Sequence, residues 1–275
     1  MSGCRLVLFA LSGMGNSVLQ SLVTLGLKPA LLVTRQETGN YPYYQLQNIA
    51  ITATELGIPI CYGKEGEEKA LQLKPDIILS ATYHRILPLH LIKSATYAFN
   101  VHPSLLPRYR GPNPFFWVLM NGEHETGVTV HYLTEELDKG DIVLQKKLLI
   151  AQDETQGSLR GKLAELSAEM TRELFVRIDN RQLHANKQSE SLATYFPNIS
   201  EREKHIDMMG NAEKIIRQVR ALSPWPGAIL NNGIKIKNIH KIIPNELSKT
   251  TDRIIKIENV PYALELENNN EEIRG

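Results

Sequence analysis

Apolar residues along the first two thirds of this chain follow two alternating rhythms. Short continuous runs, Leu6-Val7-Leu8-Phe9-Ala10-Leu11 and Asp76-Ile77-Ile78-Leu79-Ser80-Ala81 among them, predict strands buried on both faces. Residues 30–34, 59–62, 97–101, 127–132 and 142–150 predict further strands. Between them apolar positions recur every three or four residues, as at Val18, Leu19, Leu22 and Val23, and predict helices. Helices are expected over residues 43–57, 65–73 and 158–178, with another starting at Asn113 as N-cap and Pro114 in the first turn. The alternation predicts an α/β architecture: an open, Rossmann-like, mostly parallel sheet with its site at the carboxyl ends of the strands.

The pattern changes near residue 189. Residues 189–204 are polar, a helix is expected over 212–222, and Ser223-Pro224-Trp225-Pro226-Gly227 stops it. Ile234-Lys235-Ile236-Lys237 and Ile254-Ile255-Lys256-Ile257 then alternate apolar and charged residues, the period of half-exposed strands. The expected organisation is a catalytic domain over 1–188, a linker over 189–210, and a helix plus a small C-terminal β-rich unit over 211–275.

Composition narrows the class. With 42% hydrophobic residues and a net charge of +1, the chain can fill a large core and carries no strongly basic nucleic-acid surface. Cys4 and Cys61 have no framework spacing and read as reduced thiols. No apolar run is long enough for a membrane span, so a cytoplasmic protein is expected.

The chemistry concentrates in Asn100-Val101-His102-Pro103. Residues i and i+2 of an extended chain share a face, and Pro103 holds His102 out of helical space. An amide donor beside an imidazole suits acyl transfer, in which an oxyanion is stabilised and a proton moved. Asp138 or Asp141 could supply a carboxylate that raises the imidazole pKa and sets its tautomer. Gly13-x-Gly15 lacks the third glycine of a dinucleotide fingerprint, with Glu37 the only acid near the ribose position, and reads as a tight turn beside a cleft. The remaining histidines, His84, His90, His124, His131, His184, His205 and His240, lack metal-ligand spacing, so surface or packing roles and no metal are expected.

Three separated motifs carry a resemblance: Asn100-Val101-His102-Pro103-Ser104-Leu105-Leu106-Pro107, Glu125-Thr126-Gly127-Val128-Thr129-Val130, and Leu137-Asp138-Lys139-Gly140-Asp141. In this order they resemble the folate-dependent formyltransferases, over about residues 7–227. The resemblance implies 10-formyltetrahydrofolate as formyl donor and Asn100, His102 and Asp138 as catalytic residues. It places the folate against Tyr83, Arg85 and Leu87, against Ser104, Leu105, Leu106 and Pro107, and against Thr134, Glu135, Glu136 and Leu137. Gly13, Met14, Tyr109, Arg110 and Trp117 are the expected contacts of the second substrate.

Three acceptor amines compete within that resemblance: methionyl-tRNA, glycinamide ribonucleotide and an amino sugar on a nucleotide. Residues 34–44 hold one arginine and no lysine, only about fifty residues follow Pro226, and the tail bears Glu265, Glu267, Glu271 and Glu272, all unfavourable to tRNA phosphates. Tyr41-x-Tyr43, Arg110-Gly111-Pro112-Asn113-Pro114 and Phe116-Trp117 resemble the sugar branch, although Pro112 stands where some sugar enzymes carry arginine. The expected acceptor is therefore a nucleotide-linked amino sugar, with methionyl-tRNA as the alternative, a non-catalytic folate-binding protein as the second, and a homodimer allowed.

Overall fold

The computed structural model describes residues 3–37, 48–207, 211–230, 232–241, 253–257 and 260–266. Its first part runs β1 (Leu6–Ala10), α1 (Met14–Thr24), β2 (Leu31–Thr34), α2 (Ile49–Glu55), β3 (Ile60–Tyr62), α3 (Gly63–Gln72), β4 (Ile77–Ala81), α4 (Leu89–Ile92) and β5 (Tyr97–His102). It continues through α5 (Pro114–Met120), β6 (Glu125–Tyr132), β7 (Ile142–Leu149) and α6 (Gln156–Asp179). The seven strands form one sheet in the order β3-β2-β1-β4-β5-β6-β7. Pairing is parallel from β3 to β5 and antiparallel from β5 to β7. This is the expected mostly parallel α/β sheet.

The sheet is buried on both faces, which explains the unbroken apolar runs. One face, with Leu6, Leu8, Leu79 and Phe99, packs against α1, α5 and α6; the other, with Val7, Phe9 and Ile78, packs against α3 and α4. Gly15 permits the tight seat of α1 on β1, because a Cβ there would lie 2.7 Å from the Ala10 Cβ. The chain leaves β1 toward β2 and returns through β4 on the other side, so the carboxyl ends of β1 and β4 flank the topological switch point where open α/β sheets place their ligands.

The second part comprises α7 (Glu201–Lys204), β8 (His205–Ile206), α8 (Ala212–Leu222), β9 (Ala228–Leu230), β10 (Lys235–Lys241), β11 (Arg253–Ile257) and β12 (Val260–Leu266). Its strands form a separate sheet in the order β11-β12-β10-β9-β8. Its apolar residues Ile215, Val219, Leu222 and Ile236 belong to the same buried cluster as α5 and α6. Between the two parts, residues 186–196 form a strap. Asn186 exchanges backbone hydrogen bonds with Ile142, and Thr194 and Phe196 bracket Arg110 on the neighbouring loop.

Of the helix expected over 43–57, the described portion is α2, capped by the Asn48 side chain on the Ala50 N–H at 2.8 Å; residues 43–47 lie outside the described residues. Asn113 precedes α5 as expected but sits in the left-handed region at φ 58°, and its side chain reaches Asn198 at 3.0 Å instead of capping. Among the described residues no helix is long and apolar enough to cross a membrane.

Candidate active site

A cavity of about 790 Å³ opens at the carboxyl ends of β1, β4 and β5. Asn100 and His102 both line it, as their shared strand face requires. Its walls come from the loop after β4, the loop Thr134–Asp138 after β6, and the segment from Gly111 into α5.

Asp138 is the acid at the centre, and Asp141 does not line the cavity. The Asp138 carboxylate is only 6% exposed; Oδ2 accepts from the Gly111 N–H at 2.9 Å and lies 3.6 Å from His102 Nδ1. Its Oδ1 lies 3.4 Å from Asn100 Nδ2 and 3.6 Å from His131 Nε2. Burial alone would push this carboxyl up. The attraction of the His102 and His131 rings in their protonated forms, together with the Gly111 N–H, outweighs it and holds the carboxyl well below the usual carboxylate range as the site is acidified.

His102, 5% exposed, meets the Tyr109 carbonyl oxygen with Nε2 at 2.8 Å. A carbonyl only accepts, so Nε2 carries the proton and Nδ1 presents its lone pair toward Asp138. The sequence leads one to expect a carboxylate-raised imidazole pKa, and here the structure corrects it. Burial pushes His102 below its ordinary value, His131 acts in the same sense, and the upward pull of Asp138 and of the Tyr109 carbonyl is the weaker influence. His102 is therefore neutral at pH 7 beside an ionised Asp138.

His131 is the residue that sequence reasoning passed over. The β5–β6 register places it directly opposite Asn100, so the two side chains share a face. His131 Nδ1 donates to the Tyr132 carbonyl at 2.8 Å, which leaves Nε2 to accept from Asn100 Nδ2 at 3.2 Å. The orientation of the Asn100 amide is thereby set, with its NH₂ directed at His131 Nε2 and Asp138 Oδ1. Only strand register could have revealed this partner.

Three cavity-lining residues other than glycine, Thr82, Asn113 and Asp138, adopt left-handed backbone with φ between 56° and 58°, and so does Tyr109, whose carbonyl meets His102. Such positions cost about 1–3 kcal/mol each and gather where the surroundings over-determine them.

The residues expected to hold the folate divide in two. Tyr83, Arg85, Leu87, Thr134, Glu136 and Leu137 line the cavity, whereas Glu135 is exposed outside it. Ser104 and Leu106 are buried beneath it, and the Ser104 hydroxyl donates to the Arg108 carbonyl at 2.9 Å. Leu105 and Pro107 do not reach the lining either.

None of the five residues expected to contact the acceptor lines this cavity. Gly13 is the turn before α1, its N–H held by the Asn16 side chain at 2.8 Å, and Met14 is core. The Tyr109 ring stacks on Phe196 and its hydroxyl donates to Glu123 at 2.6 Å. Trp117 packs on Phe116 and donates to the Pro197 carbonyl at 2.9 Å. Arg110 is fully buried and spends its donors on Gln188, Glu190 and Tyr195. Tyr41 and Tyr43 lie outside the described residues. Glu37, weighed as a ribose ligand, accepts from the Ser12 N–H and hydroxyl and closes the β1–α1 turn. The cavity wall instead includes Arg35, Asn113, Phe115, Arg160, Asn198 and Trp225, with the Arg160 guanidinium 4.2 Å from the Phe115 ring centre.

Residues 61–174 match the formyl transferase family and residues 198–260 the formyl transferase C-terminal domain. A methionyl-tRNA formyltransferase of Citrifermentans bemidjiense is 34% identical over 236 residues, 83% of this chain and 74% of that protein. One from Bacillus pumilus is 30% identical over 92% of this chain and 83% of its own length. One from Carboxydothermus hydrogenoformans is 41% identical over 65% of this chain, a match spanning 59% of its length. Among solved structures, an N-formyltransferase from Helicobacter canadensis, in complex with folinic acid and dTDP-3-aminofucose, superposes with a TM-score of 0.75 at 20% identity, covering 96% of this chain and 100% of that one. HypX from Aquifex aeolicus, in complex with tetrahydrofolic acid, superposes at 0.68 with 18% identity, covering 96% of this chain and 44% of that one.

These relatives correct the expectation of a sugar-nucleotide acceptor. The similarity at 30–41% identity runs to methionyl-tRNA formyltransferases, while the sugar enzyme at 20% shares the fold alone. The counts of cations that disfavoured tRNA were drawn from residues 34–44 and the tail, which lie largely outside the described residues. Elsewhere Lys146 and Lys147 lie on the surface, paired with Glu169 and Glu125. Exposed pairs of this kind are worth about 0–1 kcal/mol, so a phosphate can replace the carboxylate, and formal net charge does not measure the capacity to bind one.

Proposed function

The chain belongs to the folate-dependent formyltransferase family, and from that premise we propose that it transfers the formyl group of 10-formyltetrahydrofolate to the amine of methionyl-tRNA. The observation that supports this acceptor is the set of methionyl-tRNA formyltransferases that resemble the chain at 30–41% identity.

The cavity suits a folate. Its volume of about 790 Å³ falls within the range of pockets that enclose a drug-sized ligand. Ile86 and Leu137, 62% and 42% exposed, project apolar surface from the two loops that face each other across it, a pair of lips for a flat heteroaromatic ring. When bound, the folate supplies an activated formyl carbon.

The residues around that carbon have separate tasks. The Asn100 NH₂ keeps one hydrogen on His131, while its 3.4 Å contact with Asp138 is long enough to be exchanged for an oxygen gaining negative charge. Neutral His102 accepts at Nδ1 a proton that the amine loses as the new C–N bond forms, and returns it to the folate nitrogen as the old C–N bond breaks. Asp138, 3.6 Å away and ionised, stabilises the imidazolium between those two events. The sum is methionyl-tRNA plus 10-formyltetrahydrofolate giving formylmethionyl-tRNA plus tetrahydrofolate, with every proton accounted for.

The test is a competition between methionyl-tRNA and dTDP-linked amino sugars for limiting 10-formyltetrahydrofolate. Formyl should accumulate on the tRNA, and turnover at low tRNA concentration should fall steeply as salt is raised, because phosphate contacts release counterions. Label found mainly on the sugar would reject the acceptor.

A further inference from the structure

Gln188 lies on the strap, fifty residues beyond Asp138, and every hydrogen-bonding position of its amide is occupied. Its Oε1 accepts from Arg110 Nε at 3.0 Å and from Arg110 Nη2 at 2.8 Å. Its Nε2 donates to the Asp138 carbonyl at 2.8 Å and to the Gly140 carbonyl at 2.7 Å. Arg110 can only donate and carbonyls can only accept, so the amide has one possible orientation.

Each end of this chain of contacts is anchored. Arg110 is 0% exposed; its remaining donors meet both carboxylate oxygens of Glu190, at 2.8 and 3.1 Å, and the Tyr195 hydroxyl. At the other end Gln188 grips a tightly packed turn, beside the Tyr132 N–H to Asp141 carbonyl bond at 3.0 Å. Asp138 sits at φ 56°, a backbone state that disfavours side chains, and Gly140 packs so closely that a Cβ there would lie 1.7 Å from the Tyr132 carbonyl oxygen.

We propose that Gln188 is a positioning residue for the reaction: bridging buried Arg110 to the Asp138 and Gly140 carbonyls, it holds the Asp138 carboxylate against His102. The inference rests on the assignment of His102 and Asp138 to catalysis. It gives Arg110 a structural role in place of the substrate contact expected from sequence, and it makes the strap part of the site rather than a spacer.

Gln188→Glu separates the two halves of the bridge. It keeps two acceptors for Arg110, removes both donors, and sets a carboxylate oxygen against two carbonyls. Turnover should fall about tenfold to a hundredfold, the usual consequence of displacing a catalytic group by about 1 Å. Histidine NMR titration of the full chain supplies a readout that loss of stability would not move. The charged or titratable groups facing His102 are Asp138 and His131. A new carboxylate acting only through space would raise the His102 midpoint, whereas displacement of Asp138 lowers it, as Asp138→Asn does.

A lowered His102 midpoint with reduced turnover in Gln188→Glu, and normal values in Lys187→Ala on the same strap, is the expected result. Should Gln188→Glu fail to fold, Gln188→Ala carries the same reading, since it too removes both donors. An unchanged or raised His102 midpoint, or turnover within twofold of the natural protein, overturns the proposal. Full turnover in Asp138→Asn would instead reject the catalytic assignment, while the NMR comparison still reports whether Gln188 places Asp138.

Discussion

The His102 imidazole donates its Nε2–H to the Tyr109 carbonyl at 2.8 Å, and this contact, seven residues along the same chain, decides which ring nitrogen keeps its lone pair. Tyr109 can turn its carbonyl inward because it occupies the left-handed region at φ 61°, with its ring pinned by Phe196. Nδ1 is left facing Asp138, the arrangement of a base whose protonated form has a waiting counter-charge.

The acid limb of kcat/KM should therefore lie below the ordinary histidine range, since burial depresses His102 and only its neutral form accepts a proton. Asp138→Asn removes an upward influence, so the limb should move to still lower pH while the plateau falls. A limb that stays in place in the variant separates the two residues.

The same shifts make stability fall on the acid side. Below about pH 6.5 an unfolded chain takes up a proton that folded His102 refuses, and below about pH 4 unfolded Asp138 does likewise. Both contributions are present near neutrality and are lost on acidification. Urea unfolding at pH 7.5 and 5.5 should show a smaller loss of stability in His102→Asn than in the natural protein; equal losses would contradict this.

Asn100→Ala should keep the fold and lower turnover by about 10²–10³, the usual loss for one oxyanion donor, with little change in KM for either substrate. Near-normal turnover with methionyl-tRNA would remove Asn100 from the mechanism.

His131→Leu deletes the acceptor of the Asn100 amide and leaves the Tyr132 carbonyl without that donor. A stability loss of about 1–3 kcal/mol is expected for the unsatisfied buried groups, together with reduced turnover as the Asn100 amide loses its fixed orientation. Turnover preserved in a folded variant would show that Asn100 is oriented by other groups.

Gly140→Ala forces a methyl against the Tyr132 carbonyl and must open the Asp138 turn. We expect about 1–3 kcal/mol of destabilisation by thermal unfolding and a loss of turnover larger than that of Lys139→Ala next to it. Equal turnover in the two variants would show that the turn tolerates displacement.

Much of this molecule is written in neighbouring residues. Continuous apolar runs determined the strands from Leu6–Ala10 to Ile77–Ala81, because a parallel sheet covered by helices buries both strand faces. The two-residue period of a strand, with Pro103 to keep it extended, determined that Asn100 and His102 look into one cavity. Only the tertiary structure decided the rest. The register of β6 on β5 brought His131 to Asn100, and the turn at Asp138 set the distance of its carboxylate from His102, a residue pair that the motif resemblance names without a geometry. The strap turned Arg110 inward, although its sequence surroundings resemble a substrate-binding run. Burial then reversed the sign of the His102 shift that a neighbouring carboxylate alone would produce. Local periodicity depends on residues a few positions apart, whereas desolvation and charge depend on groups tens of positions apart, and only the folded chain sets those distances.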